Sequence, residues 1–250
     1  MHSAEGSTIR HQASAVPQSW IPLPQTSDEL RPLDVFSLDF VPYNDAWNLQ
    51  RMLVEKRKRN EIADTLLLLE HPPVITMGRN AKPENLLSTP LELQQAGIEV
   101  VESDRGGDVT FHGPGQLIGY PILDLSKIRR DVVWYVRALE EAIIRTAQDC
   151  GVRAVRVPGC PGVWVNNAKV ASLGIHISRW VTSHGFALNL NTDLNFFCHI
   201  IPCGIASCPV TSFQQCLGKP LDRSVVEQHL VQHLAGLLGL EKGELWQRMS

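Results

Sequence analysis

The sequence predicts an α+β fold, a mixed β-sheet with helices packed on it, and three observations carry that expectation. Amphipathic helical stretches stand toward both ends, at residues 44–59, 131–150 and 224–240. Between them lie short apolar runs of strand length, 65–70, 73–77 and 116–125 among them. One run, Val163-Trp164-Val165, returns as Lys169-Val170 across Asn166-Asn167, a pair suited to a tight hairpin turn. Strands arriving as hairpins between helices favour segregated rather than strictly alternating elements.

Residues 34–41 alternate in part and read as the first strand. Asn44 can cap a helix to about residue 59, with Ala46, Leu49, Leu53 and Val54 as its apolar face. That helix ends in Lys56-Arg57-Lys58-Arg59, where cations suit the C-terminal dipole, so the run is a solvated face or a dock for an acidic partner. Pro72-Pro73 separates two short strands, 65–70 and 73–77. A short helix at 91–96 stops at Gly97, and 98–102 returns as strand. Val109 to Phe111 read as strand, followed by 116–125. The clearest helix spans 131–150, with Val132, Val136, Leu139, Ile143 and Ala147 on one face and Gly151 past its end. Residues 152–157, the hairpin at 163–170 and residues 186–190 complete the strands, and a helix over 224–240 closes the chain.

A length of 250 residues suits one domain, or one domain with a small appendage. A net charge of −3 argues against a general nucleic-acid binder. No apolar run reaches membrane-spanning length. Residues 1–33 carry Glu5, Asp28 and Glu29 but only Arg10 and Arg31, and they lack a signal-like apolar core. They read as a poorly ordered leader before a catalytic domain at 34–250, and the chain as cytoplasmic. In that setting Cys150, Cys160, Cys198, Cys203, Cys208 and Cys216 are expected to be reduced thiols. The spacing of Cys198, Cys203 and Cys208, with His199 adjacent, offers no C-x₂-C knuckle, so no metal is expected.

The most informative stretch is Arg105-Gly106-Gly107-Asp108-Val109-Thr110-Phe111-His112-Gly113-Pro114-Gly115-Gln116. Glycines let backbone approach a ligand closely, while Arg105 and His112 add a fixed donor and a titratable one. Neither G-x-x-x-x-G-K-[ST] nor a G-x-G-x-x-G opening a helix is present, so a nucleotide phosphate is not the expected ligand.

Together with Glu70-His-Pro-Pro-Val-Ile-Thr-Met-Gly-Arg79, Gly162-Val-Trp-Val-Asn-Asn-Ala-Lys-Val-Ala-Ser-Leu-Gly-Ile-His176, Arg179-Trp-Val-Thr-Ser-His-Gly-Phe-Ala-Leu-Asn-Leu-Asn191 and Ile201-Pro-Cys-Gly-Ile205, this stretch resembles the lipoyl(octanoyl) transferase family from about residue 34 to 215. The leader and Gln214-Gln215-Cys216 depart from its pattern.

The resemblance implies a biotin/lipoate protein ligase-like fold and transfer of an octanoyl group. Its donor would be acyl carrier protein. Its acceptor would be a lysine on lipoyl domains of 2-oxoacid dehydrogenases or on the glycine-cleavage H protein. It makes Cys203 the acyl-thioester nucleophile and Lys169 the cation that lowers its pKa and relays protons, with no cofactor. It also assigns substrate contacts to residues 105–112, to Ser172, Leu173 and Gly174, and to Gly185, Phe186 and Ala187. On composition alone those two triplets fit either strand packing or the lining of a narrow acyl tunnel. His71, Arg79, His176 and His184 are read as structural. An ATP-dependent ligase on the same fold is the rival, weakened by the absence of a G-R-G-R-x-G loop.

Overall fold

The computed structural model describes residues 31–202 and 209–247, with side chains described to residue 242. The leader to residue 30 lies outside these residues, as do Cys203 and Cys208.

The first strand, β1 (Arg31–Phe40), begins three residues before the predicted start. It pairs in parallel with β2 (Asp64–Glu70), to which α1 (Tyr43–Lys58) connects it. The run Leu66-Leu67-Leu68-Leu69 shows why β2 is apolar throughout. Leu66 and Leu68 face the main core, whereas Leu67 and Leu69 face a second core under Ala46 of α1. Only a strand covered on both faces can bury four consecutive leucines.

An eight-stranded sheet grows from this pair. β6 (Gln116–Ile122) runs antiparallel to β2, and β10 (Val181–Asn189) antiparallel to β6. β9 (Ala168–Ser178), β8 (Cys160–Val165) and β7 (Val155–Val157) continue the sheet antiparallel to its edge. The predicted Asn166-Asn167 turn has positive φ at both residues, 48° and 66°, which Asn tolerates better than most. The β9–β10 turn also takes two positive φ values, but at Arg179 and Trp180, so no sequence signal marked it.

α4 (Val132–Asp149) and α6 (Arg223–Leu238) pack together over one face of the sheet. Asp131 caps α4 by accepting from the Trp134 amide. The buried stripe of α4 is Tyr135, Ala138, Leu139, Ala142 and Ile143; Val132, expected on that face, is 42% exposed. α6 ends at Leu238, two residues before the predicted end, with Gly239 (φ 64°) as its cap. The chain then forms β11 (Leu240–Gln247), a parallel partner of β1 that the sequence reading missed.

A smaller sheet of β4 (Glu99–Glu102), β3 (Val74–Met77) and β5 (Val109–His112) stands beside the large one. Its short helix α2 (Pro90–Gln95) opens with a capping box between Thr89 and Glu92. The mixed α+β architecture is the one predicted, and among the described residues no helix is long and apolar enough to cross a membrane.

Candidate active site

A cavity of about 410 Å³ opens between the two sheets. The Arg105–Asp108 loop, Val109, Thr110 and His112 line one side, and Ser172, Leu173 and Gly174 on β9 another. Gly185, Phe186 and Ala187 on β10 and Lys169 complete the expected set around it. The walls are mostly apolar, as a fatty chain would need.

Phe111 is the exception. β5 alternates, and Phe111 lies on the face away from the cavity, fully buried against Phe196 and Phe197 at ring separations of 4.9 and 5.5 Å.

One expectation about the glycine-rich stretch, a titratable His112, needs correcting, and Arg105 is bonded to its own loop as well as lining the cavity. Arg105 holds the loop: Nε donates to Thr76 Oγ1 at 2.9 Å, and its terminal nitrogens donate to the carbonyls of Thr76, Gly106 and Asp108. Gly106 donates its amide to Ile175 O at 2.9 Å, so the loop is stitched to β9. His112 sits between Gln116 Oε1 at 2.8 Å and Thr76 Oγ1 at 3.3 Å. Burial drives its pKa well below the usual histidine value, with neighbouring His71 and Arg105 adding to the effect, so it is neutral near pH 7 and does not titrate there.

Residues that sequence reasoning left out also line the cavity: Tyr43 from α1, Tyr120 from β6, Val136 from α4, and Pro161, Ile175 and His184. Tyr43 bonds Ser103 at 2.7 Å, and Tyr120 bonds His71, which burial depresses to about 4. His184 has left-handed backbone (φ 53°), which costs a non-glycine residue on the order of 1 kcal/mol. Its amide donates to buried Gln50 of α1 at 2.7 Å, and Nε2 meets Asp104 Oδ1 at 2.7 Å. Burial lowers the His184 pKa despite this carboxylate, and the same hydrogen bond lowers that of Asp104, so a neutral ring donates to an ionised acid. The positive φ at a buried histidine was the one trace of this arrangement, and it is not visible in residue types.

Lys169 is 2% exposed. Trp164 is its cross-strand partner in the β8–β9 hairpin, and Nζ lies 4.9 Å from that ring's centroid. Gly162 (φ 119°) allows the close approach of β9, since a Cβ there would sit 2.6 Å from Ala171 O, with the lysine stem in ordinary contact at 3.4 Å. The backbone of Lys169 accepts from Thr211 and donates to Pro209 O, at 2.9 and 2.7 Å. On the other side of residues 203–208, Ile201 donates to Asn85 O at 2.8 Å, and Asn85 in turn bonds Asp108 at 2.6 Å. Both flanks of residues 203–208 are thus tied to the elements around the cavity. The assembly combines an apolar cavity, a buried lysine and bonded flanks on either side of the stretch of sequence that holds Cys203.

Three comparisons bear on this arrangement. The family profile described as the lipoyl protein ligase A/B catalytic domain matches residues 42–235. An octanoyltransferase of Koribacter versatilis is 56% identical over 194 residues, 76% of this chain and 77% of the relative. One from Solibacter usitatus is 52% identical over 201 residues, 80% and 90% of the two chains. Among solved structures, a bipartite lipoate protein ligase from Thermoplasma acidophilum superposes with a TM-score of 0.68 at 15% identity, covering 86% of this chain and 88% of that one, a likeness of fold.

Proposed function

The chain belongs to the lipoyl protein ligase A/B catalytic-domain family and to the octanoyltransferases, a group of acyltransferases, and we propose from that premise a two-step reaction through Cys203. The Cys203 thiolate attacks the acyl carbonyl of octanoyl-acyl carrier protein. The carrier's thiol leaves, and the octanoyl group becomes a thioester on Cys203. A lysine amine of a lipoyl domain, or of the glycine-cleavage H protein, then attacks that thioester. An amide forms, the Cys203 sulfur departs, and the amine gives up one proton. The first step exchanges one thioester for another and needs no nucleotide; the second runs downhill to the amide. A cytoplasmic setting, where thiols stay reduced, fits this chemistry.

The observation that supports the reading most is the position of Lys169. Lys169 lines the cavity, and its backbone is bonded to Pro209 and Thr211, in the stretch of sequence that follows Cys203. A nearby cation favours thiolate over thiol. Lys169 also carries protons that it can lend or accept when the amine attacks. Within the donor set assigned from sequence, Thr110, His112, Leu173 and Phe186 would flank the octanoyl chain. Phe111 acts from the core behind them.

Incubation of the purified protein with octanoyl-carrier thioester and no ATP is expected to add about 126 Da to the peptide containing Cys203, as octanoyl replaces one hydrogen. Subsequent addition of a lipoyl domain should discharge it. Absence of an adduct, or transfer that requires ATP, overturns the covalent route and favours an adenylating one.

Chain-length selection has its own test. The Phe186 ring lies across Gly119 of β6, where a Cβ would sit 2.0, 2.4 and 2.6 Å from three ring carbons. β6 is fully buried, so in Gly119→Ala the free volume available to the displaced ring is the cavity. Overpacking of this kind costs about 1–3 kcal/mol. The variant is expected to shift the kcat/KM ratio toward butanoyl over octanoyl thioesters by about tenfold, the equivalent of 1.4 kcal/mol. An unchanged ratio would show that Phe186 does not bound the acyl chain.

A further inference from the structure

Two basic segments far apart in sequence meet at one end of the large sheet. Helix α3 (Leu125–Ile128) and the loop from it into α4 carry exposed Lys127, Arg129 and Arg130. The β9–β10 turn packs on it: Leu125 donates to Trp180 O at 2.8 Å, and the Arg130 guanidinium lies 6.0 Å from the Trp180 ring. The C-terminus of α1 joins them, with Lys58 Nζ 3.1 Å from Ser178 Oγ. Lys58, Arg59, Lys127, Arg129, Arg130 and Arg179 therefore share one edge. Carboxylates answer only part of this charge: Glu55 pairs with Lys58, Glu61 with Arg59 and Asp131 with Arg129. Asp124 lies 3.9 Å from both Lys127 and buried Arg57, and Asp64 pairs with Arg57 at 2.7 Å. This is a local excess of positive charge on a chain whose net charge is −3.

The edge is also apolar at its centre. Val133 is 65% and Val132 42% exposed at the first turn of α4, beside Arg129 and Arg130. Basic side chains ringing exposed valines complement an acidic helix that shows an apolar stripe. A nucleic acid backbone would make little use of two valines at a helix start. The patch also adjoins the cavity. Val136, one turn beyond Val132 on the same face of α4, lines it, and so does Ile175, four residues before Arg179 on β9. At about 3.3 Å per residue that strand path is roughly 13 Å, a distance a flexible thioester-bearing arm can bridge.

We propose that the α3–α4 junction and the β9–β10 turn form the dock for the acyl donor's carrier protein, met through an acidic helix. This rests on the two-step reaction above and adds the surface on which its first half begins. Charges at such a rim steer encounter and are screened by salt, so they act on the carrier and not on the acyl group.

The test compares two donors, octanoyl-carrier protein and octanoyl-pantetheine, in the full-length enzyme. In Arg129→Glu/Arg130→Glu the KM for the carrier donor should rise at least tenfold, with kcat within about threefold and a flatter salt dependence. The rate with octanoyl-pantetheine should stay within about twofold. Arg129→Gln/Arg130→Gln should fall between wild type and the charge reversal. Replacing an acidic residue of the carrier helix with Lys should recover part of the loss caused by the reversal. Equal loss with both donors would mark the arginines as structural. An unchanged KM, or an effect seen only on binding to anionic vesicles or DNA, would also overturn the dock. A wild-type enzyme inactive with both donors would instead refute the thioester reaction itself.

Discussion

Cys203→Ala is expected to lower octanoyl transfer by about 10³-fold or more, because it removes the atom that carries the acyl group. Cys150→Ala, Cys160→Ala, Cys198→Ala and Cys216→Ala should each retain most activity. Their environments differ in kind. Cys150 is half-buried at the end of α4, where burial and Asp149 push its thiol pKa up, away from thiolate. Cys198 and Cys216 are exposed and do not line the cavity described above. Cys160 precedes cavity-lining Pro161, and its carbonyl accepts from the Trp164 indole at 3.0 Å, so it is the sharpest control. Cys203→Ser should remain slow, since a hydroxyl does not ionise near neutral pH. Single-turnover measurement with octanoyl-carrier thioester checks all six variants. Near-normal turnover by Cys203→Ala would eliminate the covalent intermediate.

Lys169→Met is expected to slow transfer by about 10²-fold or more, the usual worth of a positioned proton-transfer group. Methionine keeps an unbranched stem against Gly162 and Trp164, so the β8–β9 hairpin should survive and the loss should be one of charge. Two readouts separate that from damage to the fold. Alkylation of Cys203 by iodoacetamide at pH 7 should slow, and its pH profile should move to higher pH, because the thiolate has lost a neighbouring cation. Thermal unfolding should change far less than the rate. Lys169→Arg keeps charge but holds its proton, so acylation of Cys203 should suffer less than amide formation. An alkylation profile unaltered in Lys169→Met would remove Lys169 as the activating group.

Much of the architecture was legible because its signals are local. The 3.6-residue periodicity of residues 131–150, the Asn166-Asn167 turn, Gly97 and Gly151 past helix ends, and the short apolar runs all report on neighbours a few residues away. The family was legible too, since its motifs are contiguous strings. What the string could not express is which side chains share a space. Arg105 reads as a ligand donor, but nothing in the string shows that its nitrogens also bond Thr76, twenty-nine residues away, and its own loop. Phe111 and His112 are adjacent in sequence, but β5 pairing with β3 sends one into a core and the other to the cavity. Tyr43, Tyr120 and His184 come from three elements and meet only because β6 and β10 are neighbours with α1 across them. β11 escaped notice for the same reason: its parallel pairing with β1 closes a loop of about two hundred residues. Helices and turns are decided by energies within one segment of chain. A cavity, a sheet edge and a buried cation depend on contacts whose partners are set by the packing of the whole, and there the tertiary structure alone decides.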